Sequence, residues 1–393
     1  MLQILYNVLM FIFKLFIPID RNLIIFGDRA GKRFSDNSRY LFFYINGLKT
    51  KRCVWISQDK NIVTRVRKLG YESYLNNSLV GIFLALRADW HIYNYAELDI
   101  HSFLTKYSKS INLWHGILFK KLKKFKVSNF LNFNSSFVKK YLVYPNKKYS
   151  NHILDHYPKW KYKLLLSNQP RNILLSNFSI ENYKKFTTTS EKKICSKIIK
   201  SKKKVIGYFP TWRNNGLELF PNSQDFNNMI KLNNILKKRN YILLVKKHPN
   251  SYKKDNHTSY NKKIDQFYKK IRELSNFYLL DYDTDLNSIM HLCDSMISDY
   301  SGAIFDYLLL NRTILFYAPD QKKYEKTPGM HFSLNNISIG PVINNFTSLL
   351  KILDKHLKNP IILRNKYKKK RNKFKKEIFT NNNCFEQIMS IVN

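Results

Sequence analysis

The chain has 393 residues, 44% of them hydrophobic, so it can bury sizeable cores and is not globally disordered. This length exceeds one ordinary domain and suits two. Lysine and arginine number 68 against 27 acidic residues, and the formal net charge of +41 favours an anionic partner. The four cysteines are far apart and form no C-x-x-C pair, which argues against a zinc site or a disulfide framework and suits a reducing cytoplasm.

The N-terminal segment, residues 1–20, is predicted to be a separate apolar helix. Residues 1–18 are interrupted only by a few polar side chains and end at Pro18, which makes them slightly short for a membrane span. No small-residue cleavage site follows, so a cleaved signal peptide is not expected. Two interpretations stay open: a helix lying in the membrane interface, or a buried first helix of the domain.

Residues 21–190 alternate strands with helices, which predicts a parallel α/β domain. The predicted strands are 22–27, 52–57, 90–95, 110–113 and 141–145, and the predicted helices are 38–47 and 61–69. A polar, lysine-rich stretch at 181–204 separates this half from the next, and we place the domain boundary at residue 190.

Residues 191–393 repeat the same alternation, so the fold class is α/β with two Rossmann-type doubly wound domains. The predicted strands are 204–209, 241–246, 277–280, 295–298 and 313–317, and the predicted helices are 226–239, 285–293 and 303–310. Residues 346–392 are predicted to form basic C-terminal helices of this second domain.

Polar residues follow several of these strands at the point where each strand ends. They include His115 in a W-H-G motif, Arg213 in T-W-R, His248 before a proline, and Asp299 and Ser301 in one turn. The carboxyl ends of parallel strands meet at one edge of a doubly wound sheet, where ligands bind. This placement predicts a site for an anionic ligand.

Each side chain has a chemical role available in such a site. The guanidinium of Arg213 can grip two phosphate oxygens. The imidazole of His248 can stabilise charge on a leaving phosphate, and that of His115 can take a proton from an attacking hydroxyl. Asp299 and Asp306 could orient a ribose or polyol hydroxyl, although Asp299 could instead fix only its own loop through an Asx turn.

The turn at Ser301 and Gly302 joins a strand to a helix, an arrangement that aims backbone N–H groups at a bound anion. The Ser301 hydroxyl could contact a phosphate or cap the helix, as in an ordinary βαβ unit. A lysine cluster follows the W-H-G motif at residues 120–126. This cluster could steer an anionic substrate, touch lipid headgroups or form a solvated face.

These motifs together resemble the CDP-glycerol glycerophosphotransferase family of teichoic acid primases and polymerases. The similarity is specific over about residues 110–345 and weaker from about residue 22, where the S-D-N pattern at 35–37 lies. The motifs that carry it, in chain order, are W-H-G at 114–116, Y-F-P-T-W-R at 208–213, K-K-H-P at 246–249, D-L-N at 285–287, S-D-Y-S at 298–301, F-D at 305–306 and I-L-F-Y at 314–317.

The resemblance implies a GT-B architecture of two Rossmann-like domains with the active site in the cleft, the acceptor side in residues 21–190 and the donor side in 191–393. It implies transfer of glycerol phosphate or ribitol phosphate from CDP-glycerol or CDP-ribitol to a hydroxyl of an undecaprenyl-linked or glycan acceptor. CMP is released, in synthesis of a teichoic-acid-like or capsular polymer. A peripheral location on the cytoplasmic face of an anionic membrane is implied as well.

The resemblance also assigns roles to residues. His115 would be the catalytic base, and Arg213, His248 and Ser301 would bind the pyrophosphate, with the Gly302 N–H, Asp299 and Asp306 nearby. Three positions depart from the family pattern: Ile117 replaces threonine, Lys247 replaces proline, and Gly302 replaces serine. Ile117 affects the acceptor side, whereas Gly302 keeps its N–H group, so donor binding should survive.

No acidic metal cluster stands out in the sequence, so we expect no required metal, although Mg²⁺ could screen the donor. Two alternative functions stay open. One is a GT-B glycosyltransferase that uses a nucleotide sugar. The other is a non-enzymatic protein that binds membrane or nucleic acid through its charge. Nucleic acid is not an expected partner, because no aromatic–basic recognition module is present.

Overall fold

The computed structural model describes residues 10, 12–121, 138–154, 162–213, 220–221, 225–247, 259–327, 329–337, 339–380 and 383–393. It divides into two compact units. The first contains the described residues of Met1–Gly116, Lys124–Thr188 and Phe379–Asn393. The second contains residues 117–121 and the described residues of Thr189–Ile378.

The first unit is built on a seven-stranded parallel sheet in the order β3-β2-β1-β4-β5-β6-β7. Its strands are β1 Asp20–Phe26, β2 Arg52–Ser57, β3 Ser73–Leu75, β4 Ala88–Tyr93, β5 Lys109–Asn112, β6 Lys140–Tyr144 and β7 Lys163–Leu166. Most of β1 and all of β4 are buried, as the continuous apolar runs of strands covered on both faces require. β3 and β7 were not predicted from the sequence, because they are only three and four residues long.

The second unit repeats this design with a six-stranded parallel sheet in the order β10-β9-β8-β11-β12-β13. Its strands are β8 Lys204–Tyr208, β9 Tyr241–Val245, β10 Phe277–Leu279, β11 Ser295–Ser298, β12 Thr313–Tyr317 and β13 Val342–Ile343. Both orders reverse direction after the first strand of the unit, which is the doubly wound Rossmann pattern. The predicted fold class is therefore confirmed.

Helices connect the strands in both units. In the first unit they are α1 Asp36–Leu48, α2 Lys60–Lys68, α3 Leu79–Arg87, α4 Ser102–Lys106, α5 Lys147–Leu154, α6 Ile173–Ser176 and α7 Ile180–Phe186. In the second they are α8 Thr189–Lys200, α9 Phe226–Lys238, α10 Ser259–Arg272, α11 Leu286–Met290, α12 Ala303–Leu308, α13 Gln321–Lys326, α14 Leu334–Ile337, α15 Phe346–Lys358 and α16 Pro360–Ile378. The predicted helix 285–293 is shorter than expected and begins where the Asp285 carboxylate caps the amide of Asn287 at 3.0 Å.

The last helix, α17 Cys384–Val392, corrects the predicted domain limits, which assigned it to the C-terminal domain. It belongs to the first unit, because its apolar face completes that unit's core. The ring of Phe385 stacks on Tyr44 with 4.3 Å between centroids and on Phe186 with 5.7 Å. Chain order alone could not show this return, since the helix carries no signal for which core it enters.

The N-terminal prediction falls mostly outside the described residues, which begin at residue 10. Residues 12–16 are helical, and Lys14 points inward, donating to the Ser108 hydroxyl at 2.8 Å. Burial lowers the pKa of Lys14 to about 8. Leu15 and Phe16 are 67% and 80% exposed. Over the described ranges, no helix has the length and apolar character needed to cross a membrane.

Candidate active site

The backbone around His115 turns sharply after β5 ends. The carboxamide oxygen of Asn112 accepts the amide of Trp114 at 2.9 Å, which starts the turn. Trp114 is fully buried with φ 54°, and Gly116 has φ 120°. A bulky residue rarely adopts the left-handed region, so the surrounding structure must hold this conformation.

Three buried side chains hold the turn by donating hydrogen bonds to three successive carbonyl groups. Gln169 donates to the carbonyl of Leu113 at 3.1 Å. Asn37 donates to the carbonyl of Trp114 at 2.6 Å, and the Arg171 guanidinium donates to the carbonyl of His115 at 2.8 Å. The predicted S-D-N pattern therefore has a physical role, because its asparagine fixes the backbone next to the proposed base.

The His115 ring itself is half-buried beside two aromatic rings. Its centroid lies 4.4 Å from Trp114 and 4.8 Å from Tyr95, and these two rings stack nearly parallel. Glycine suits the next position, because its φ of 120° strains any other residue and a Cβ there would stand 2.4 Å from Arg171 Nη2. The W-H-G spacing thus places an imidazole on a rigid, tightly packed turn.

A buried acidic cluster lies beside this turn, where β1 and β4 end. Asp28 accepts from the Ser35 hydroxyl at 2.6 Å and from the Asn94 amide at 2.8 Å. Burial, with the charges of Asp36 and Asp99, raises the pKa of Asp28 to about 7. Burial likewise raises the pKa of Asp99 to about 6, against the opposing effect of its backbone hydrogen bonds.

Sequence reasoning missed most of this network. Asp28 and Asn94 follow β1 and β4 almost directly, so the strand-end argument that found His115 could have found them. No sequence feature indicated the roles of Gln169 and Arg171. Each acts on a carbonyl 56 positions earlier in the chain, and only the folded backbone brings them there.

In the second unit, Asp299 joins the loops that follow β8 and β11. Its carboxylate is 2% exposed and accepts the Thr211 amide at 2.8 Å, the Thr211 hydroxyl at 2.7 Å and the Tyr300 amide at 2.7 Å. The Arg213 guanidinium adds a fourth donor at 2.8 Å. β8 and β11 are the central strands at which the sheet order reverses, so this network marks the expected ligand edge.

Arg213 was expected to grip a phosphate with its fork, and in this structure the fork binds carboxylates of the same unit. Its Nε and Nη2 bind the two carboxylate oxygens of Asp320 at 2.9 and 3.0 Å, while Nη1 reaches Asp299 and the Thr211 carbonyl. A guanidinium this buried needs carboxylate partners, and two are at hand. Burial alone would raise the pKa of Asp320, but the hydrogen bond and charge of Arg213 hold it below its usual value.

At the turn of Ser301 the N-cap position differs from the expected one, but a capping hydrogen bond to the serine hydroxyl is present. Gly302, not Ser301, is the N-cap residue of α12, and it has φ −60°. The Ser301 hydroxyl still accepts the amide of Ala303, at 3.3 Å. Both residues are partly exposed, and a Cβ on Gly302 would lie 3.3 Å from the carbonyl of Ile117. The hydroxyl therefore helps to cap a helix of six residues.

The remaining predicted residues are less informative. His248 lies outside the described residues, and Asp306 is buried within α12. Lys246 donates to the carbonyls of Asp281 and Tyr282, and the Lys247 ammonium lies 4.1 Å from the centre of the Tyr268 ring. In the part of the chain that the structure covers, no group of three or more His, Cys, Asp or Glu side chains could hold a metal ion.

Tyr300 and Asp320, which had no role predicted from the sequence, complete the network. Tyr300 stacks on Tyr324 with 4.0 Å between ring centroids, and its hydroxyl donates to Asp320 at 3.1 Å. Asp320 stands three positions after β12 ends, so it too was within reach of the strand-end argument.

Two doubly wound parallel sheets of this order, each with a polar network beside the point where its strand order reverses, are the architecture of the GT-B fold class. The chain belongs to the CDP-Glycerol:Poly(glycerophosphate) glycerophosphotransferase family, whose model matches residues 9–392. The motif resemblance, and the transferase class that it implies, are thereby confirmed.

Individual proteins agree with this assignment. The chain is 27% identical to a teichoic acid poly(glycerol phosphate) polymerase of Bacillus spizizenii, over 86% of this chain and 84% of that protein. It is 30% identical to a teichoic acid ribitol-phosphate primase of the same organism, over 39% of this chain and 35% of that protein. A structure of the wall teichoic acid polymerase TagF matches with a TM-score of 0.71 at 22% identity, covering 98% of this chain and 92% of that one, which shows the fold.

Proposed function

We propose that this protein transfers glycerol phosphate from CDP-glycerol to a hydroxyl group of a teichoic-acid-like acceptor and releases CMP. The observation that carries the proposal is the buried network of Thr211, Arg213, Asp299 and Asp320, which lies at the carboxyl ends of β8, β11 and β12. Doubly wound sheets bind nucleotides at this edge. The network holds the partly exposed Ser301–Gly302 turn in place for the donor.

The reaction that we propose is an in-line displacement at phosphorus. His115 takes the proton of the acceptor hydroxyl, and the resulting oxygen attacks the β-phosphorus of the donor. A new P–O bond forms to the acceptor while the bond between the β-phosphorus and the bridging oxygen breaks. CMP leaves with that oxygen and its electron pair. The fixed carbonyls of Leu113, Trp114 and His115 support this role, because they hold the base in one position.

On the donor side we propose contacts from the Ser301 hydroxyl and the Gly302 N–H to the pyrophosphate. Asp299 and Asp306 are proposed to lie near the ribose or polyol. Arg213 is proposed to act indirectly, because its fork holds Asp299 and Asp320. The contribution of His248 to the leaving phosphate stays a prediction. We propose no resident metal, and Mg²⁺ would arrive only with the donor. Chelator titration tests this last point.

We prefer glycerol to ribitol because the glycerol phosphate polymerase matches most of this chain, whereas the ribitol phosphate primase matches a smaller part. The acceptor is proposed to be lipid-linked, and the product a wall or capsular polymer. A screen of the purified protein against CDP-glycerol, CDP-ribitol and a panel of nucleotide sugars tests the reaction. We expect CMP release from CDP-glycerol. Turnover of a nucleotide sugar alone would favour a glycosyltransferase and overturn the proposal.

We further propose that the first unit docks peripherally on an anionic membrane. Residues 12–16 and the start of α3 expose large apolar side chains: Ile12, Phe13, Leu15, Phe16, Leu79, Val80 and Phe83. Both elements pack on one apolar cluster that includes Ala85 and Leu104, with Met10, Ile17 and Ile82 against it. Exposed aromatic and aliphatic groups with a high positive charge suit such a surface. Flotation with anionic vesicles tests it, and Phe16→Ser should weaken the association.

A further inference from the structure

A cavity of about 370 Å³ lies in the second unit, between residues 331–337 and the C-terminal half of α16. None of the motifs found in the sequence accounts for it. Its lining residues are His331, Phe332, Ser333, Asn336, Ile337, Lys370, Lys373, Phe374 and Glu377.

The floor of the cavity is rigid and apolar. The buried ring of Phe332 has its centroid 5.2 Å from Phe305, 5.8 Å from Phe119 and 6.0 Å from Phe374. Aromatic rings in such tilted and edge-on contacts pack firmly. This floor offers contact to CH and CH₂ groups of a ligand.

The walls are rich in hydrogen-bond donors and positive charge. His331, Ser333 and Asn336 stand on one side, and Lys370 and Lys373 on the other. Glu377 adds a single carboxylate, which can accept from hydroxyl groups. The cavity therefore combines groups for phosphate, hydroxyl and carbon chain.

The positive charge of the cavity walls continues along the length of α16. It carries nine lysines and arginines against one glutamate, and only Arg371, Phe374 and Ile378 are buried. Lys366, Lys370 and Lys373 follow one another at spacings of four and three, so they form a row on one helix face. The row runs roughly 10 Å along the axis, at 1.5 Å per residue. Such a row suits an extended polyanion better than a single phosphate.

We propose that the cavity and the Lys366–Lys370–Lys373 row bind the phosphodiester backbone of a polyol-phosphate acceptor, behind the hydroxyl that reacts. This inference rests on the proposed function. A polyol-phosphate chain supplies every group that the walls can recognise: phosphates for the lysines, hydroxyls for Glu377 and Asn336, and carbon segments for the aromatic floor.

The cavity is tied to the donor turn within the same unit. His331 donates its amide to the carbonyl of Phe119 at 2.9 Å, while the carbonyl of Ile117 lies against Gly302. Only Leu118 lies between Ile117 and Phe119, so these two residues are at most roughly 7 Å apart along the chain. An acceptor of a few repeat units could hold its trailing phosphates in the cavity while its leading end reaches the donor.

A membrane surface is a poorer occupant for this cavity. The polar donors line a recess, which a flat layer of headgroups does not fill. The strongly exposed apolar residues of α16 are Ile361 and Ile362, at 63% and 62%, and they stand in its first turn, away from the lining residues. We therefore assign the polymer to the cavity and keep lipid as an outcome of the test.

Binding to the purified full-length protein tests the proposal without catalysis. The probe is a fluorescent poly(glycerol phosphate) oligomer of defined length, compared with inorganic polyphosphate of matched charge and with phosphatidylglycerol vesicles. Lys370→Glu with Lys373→Glu should weaken oligomer binding about tenfold at low salt, because two attractions become repulsions. Lys370→Arg with Lys373→Arg should retain it. The matched control reverses Lys368 and Lys376, which line no part of the cavity.

The possible results distinguish a polyol-phosphate site from non-specific charge attraction and from lipid binding. Support requires that the oligomer bind more tightly than polyphosphate, that Glu377→Gln reduce this preference, and that the control variant resemble the wild type. Equal loss in the control variant, equal binding of polyphosphate, or an effect confined to vesicles would each overturn the site. CMP release from CDP-glycerol onto a single-unit acceptor should persist in the control variant, in which Lys368 and Lys376 are reversed in charge. Absence of CMP release in the wild type would overturn the proposed function and leave the binding result standing.

Discussion

The two units carry their polar networks on sheets of the same strand order, but their buried carboxylates have different partners. In the first unit, Asp28 is surrounded by neutral donors and neighbouring acids, and its pKa rises to about 7. In the second, Asp299 and Asp320 share the Arg213 guanidinium, which holds the pKa of Asp320 down despite its burial. The network around Asp28 can therefore change charge near neutral pH, whereas Asp320 beside Arg213 stays ionised there.

The largest expected effect concerns His115, the proposed catalytic base of the first unit. His115→Asn should lower CMP release from CDP-glycerol by about a hundredfold or more, since general base catalysis contributes at least that much. The fold should survive, because the anchor at this position is a main-chain carbonyl. Unchanged turnover in a variant with a wild-type unfolding curve would remove His115 from the mechanism.

The second effect should fall on the ion pairs of the second unit. Arg213→Ala leaves two carboxylates without their partner, and we expect a loss of about 3–5 kcal/mol in the free energy of unfolding. Arg239 binds Asp354 with the same fork geometry, at 2.7 and 3.0 Å, but at the surface. Arg239→Ala is thus the matched control and should cost far less in a denaturant titration. Equal losses would show that burial does not distinguish the pairs.

Arg171 should act through position and not through contact with substrate. Arg171→Gln removes the donor to the His115 carbonyl, so we expect kcat for CMP release to fall about tenfold while KM for CDP-glycerol stays unchanged. The exposed Arg21→Gln is the control. A rise in KM for the donor would contradict the separation of roles between the units.

Asp28 should make stability depend on pH in the first unit alone. An unfolded aspartate ionises at about 4, whereas folded Asp28 keeps its proton until about 7, so the free energy of unfolding falls as pH rises between these values. Asp28→Asn is neutral throughout, and the Ser35 hydroxyl can turn to accept from it. Denaturant titrations from about pH 5 to about pH 8 should show the variant gaining on the wild type. Parallel curves would contradict the raised pKa.

The smallest effect on stability is expected for Gly302→Ala, and Gly27→Ala in the first unit is its contrast. Gly302→Ala adds a Cβ 3.3 Å from the Ile117 carbonyl at an ordinary φ, so we expect a stability change below about 1 kcal/mol and near-normal turnover. In the first unit, a Cβ on Gly27 would stand 2.2 Å from the Asp99 carbonyl. Gly27→Ala should therefore lower the unfolding midpoint clearly more. A reversed order would break the comparison.

The sequence by itself determined the parallel α/β class, most strand positions and the family, because buried strands read as continuous apolar runs and the motifs keep fixed local spacing. β2, β11 and β12 begin and end at the residues predicted. His115, Asp299 and Ser301 could be predicted because they directly follow strands that are visible in the sequence. Asp28 and Asp320 also follow strands closely, so they could have been predicted in the same way.

Only the tertiary structure decided which groups meet. Arg171 fixes a carbonyl 56 positions away, Arg213 binds Asp320 instead of presenting its fork, and α17 returns to the first core. Each of these depends on long-range packing, where a charged side chain takes whichever partner burial brings near. Composition and motif spacing do not predict these partners, because the partners are set only when the sheets and helices pack together.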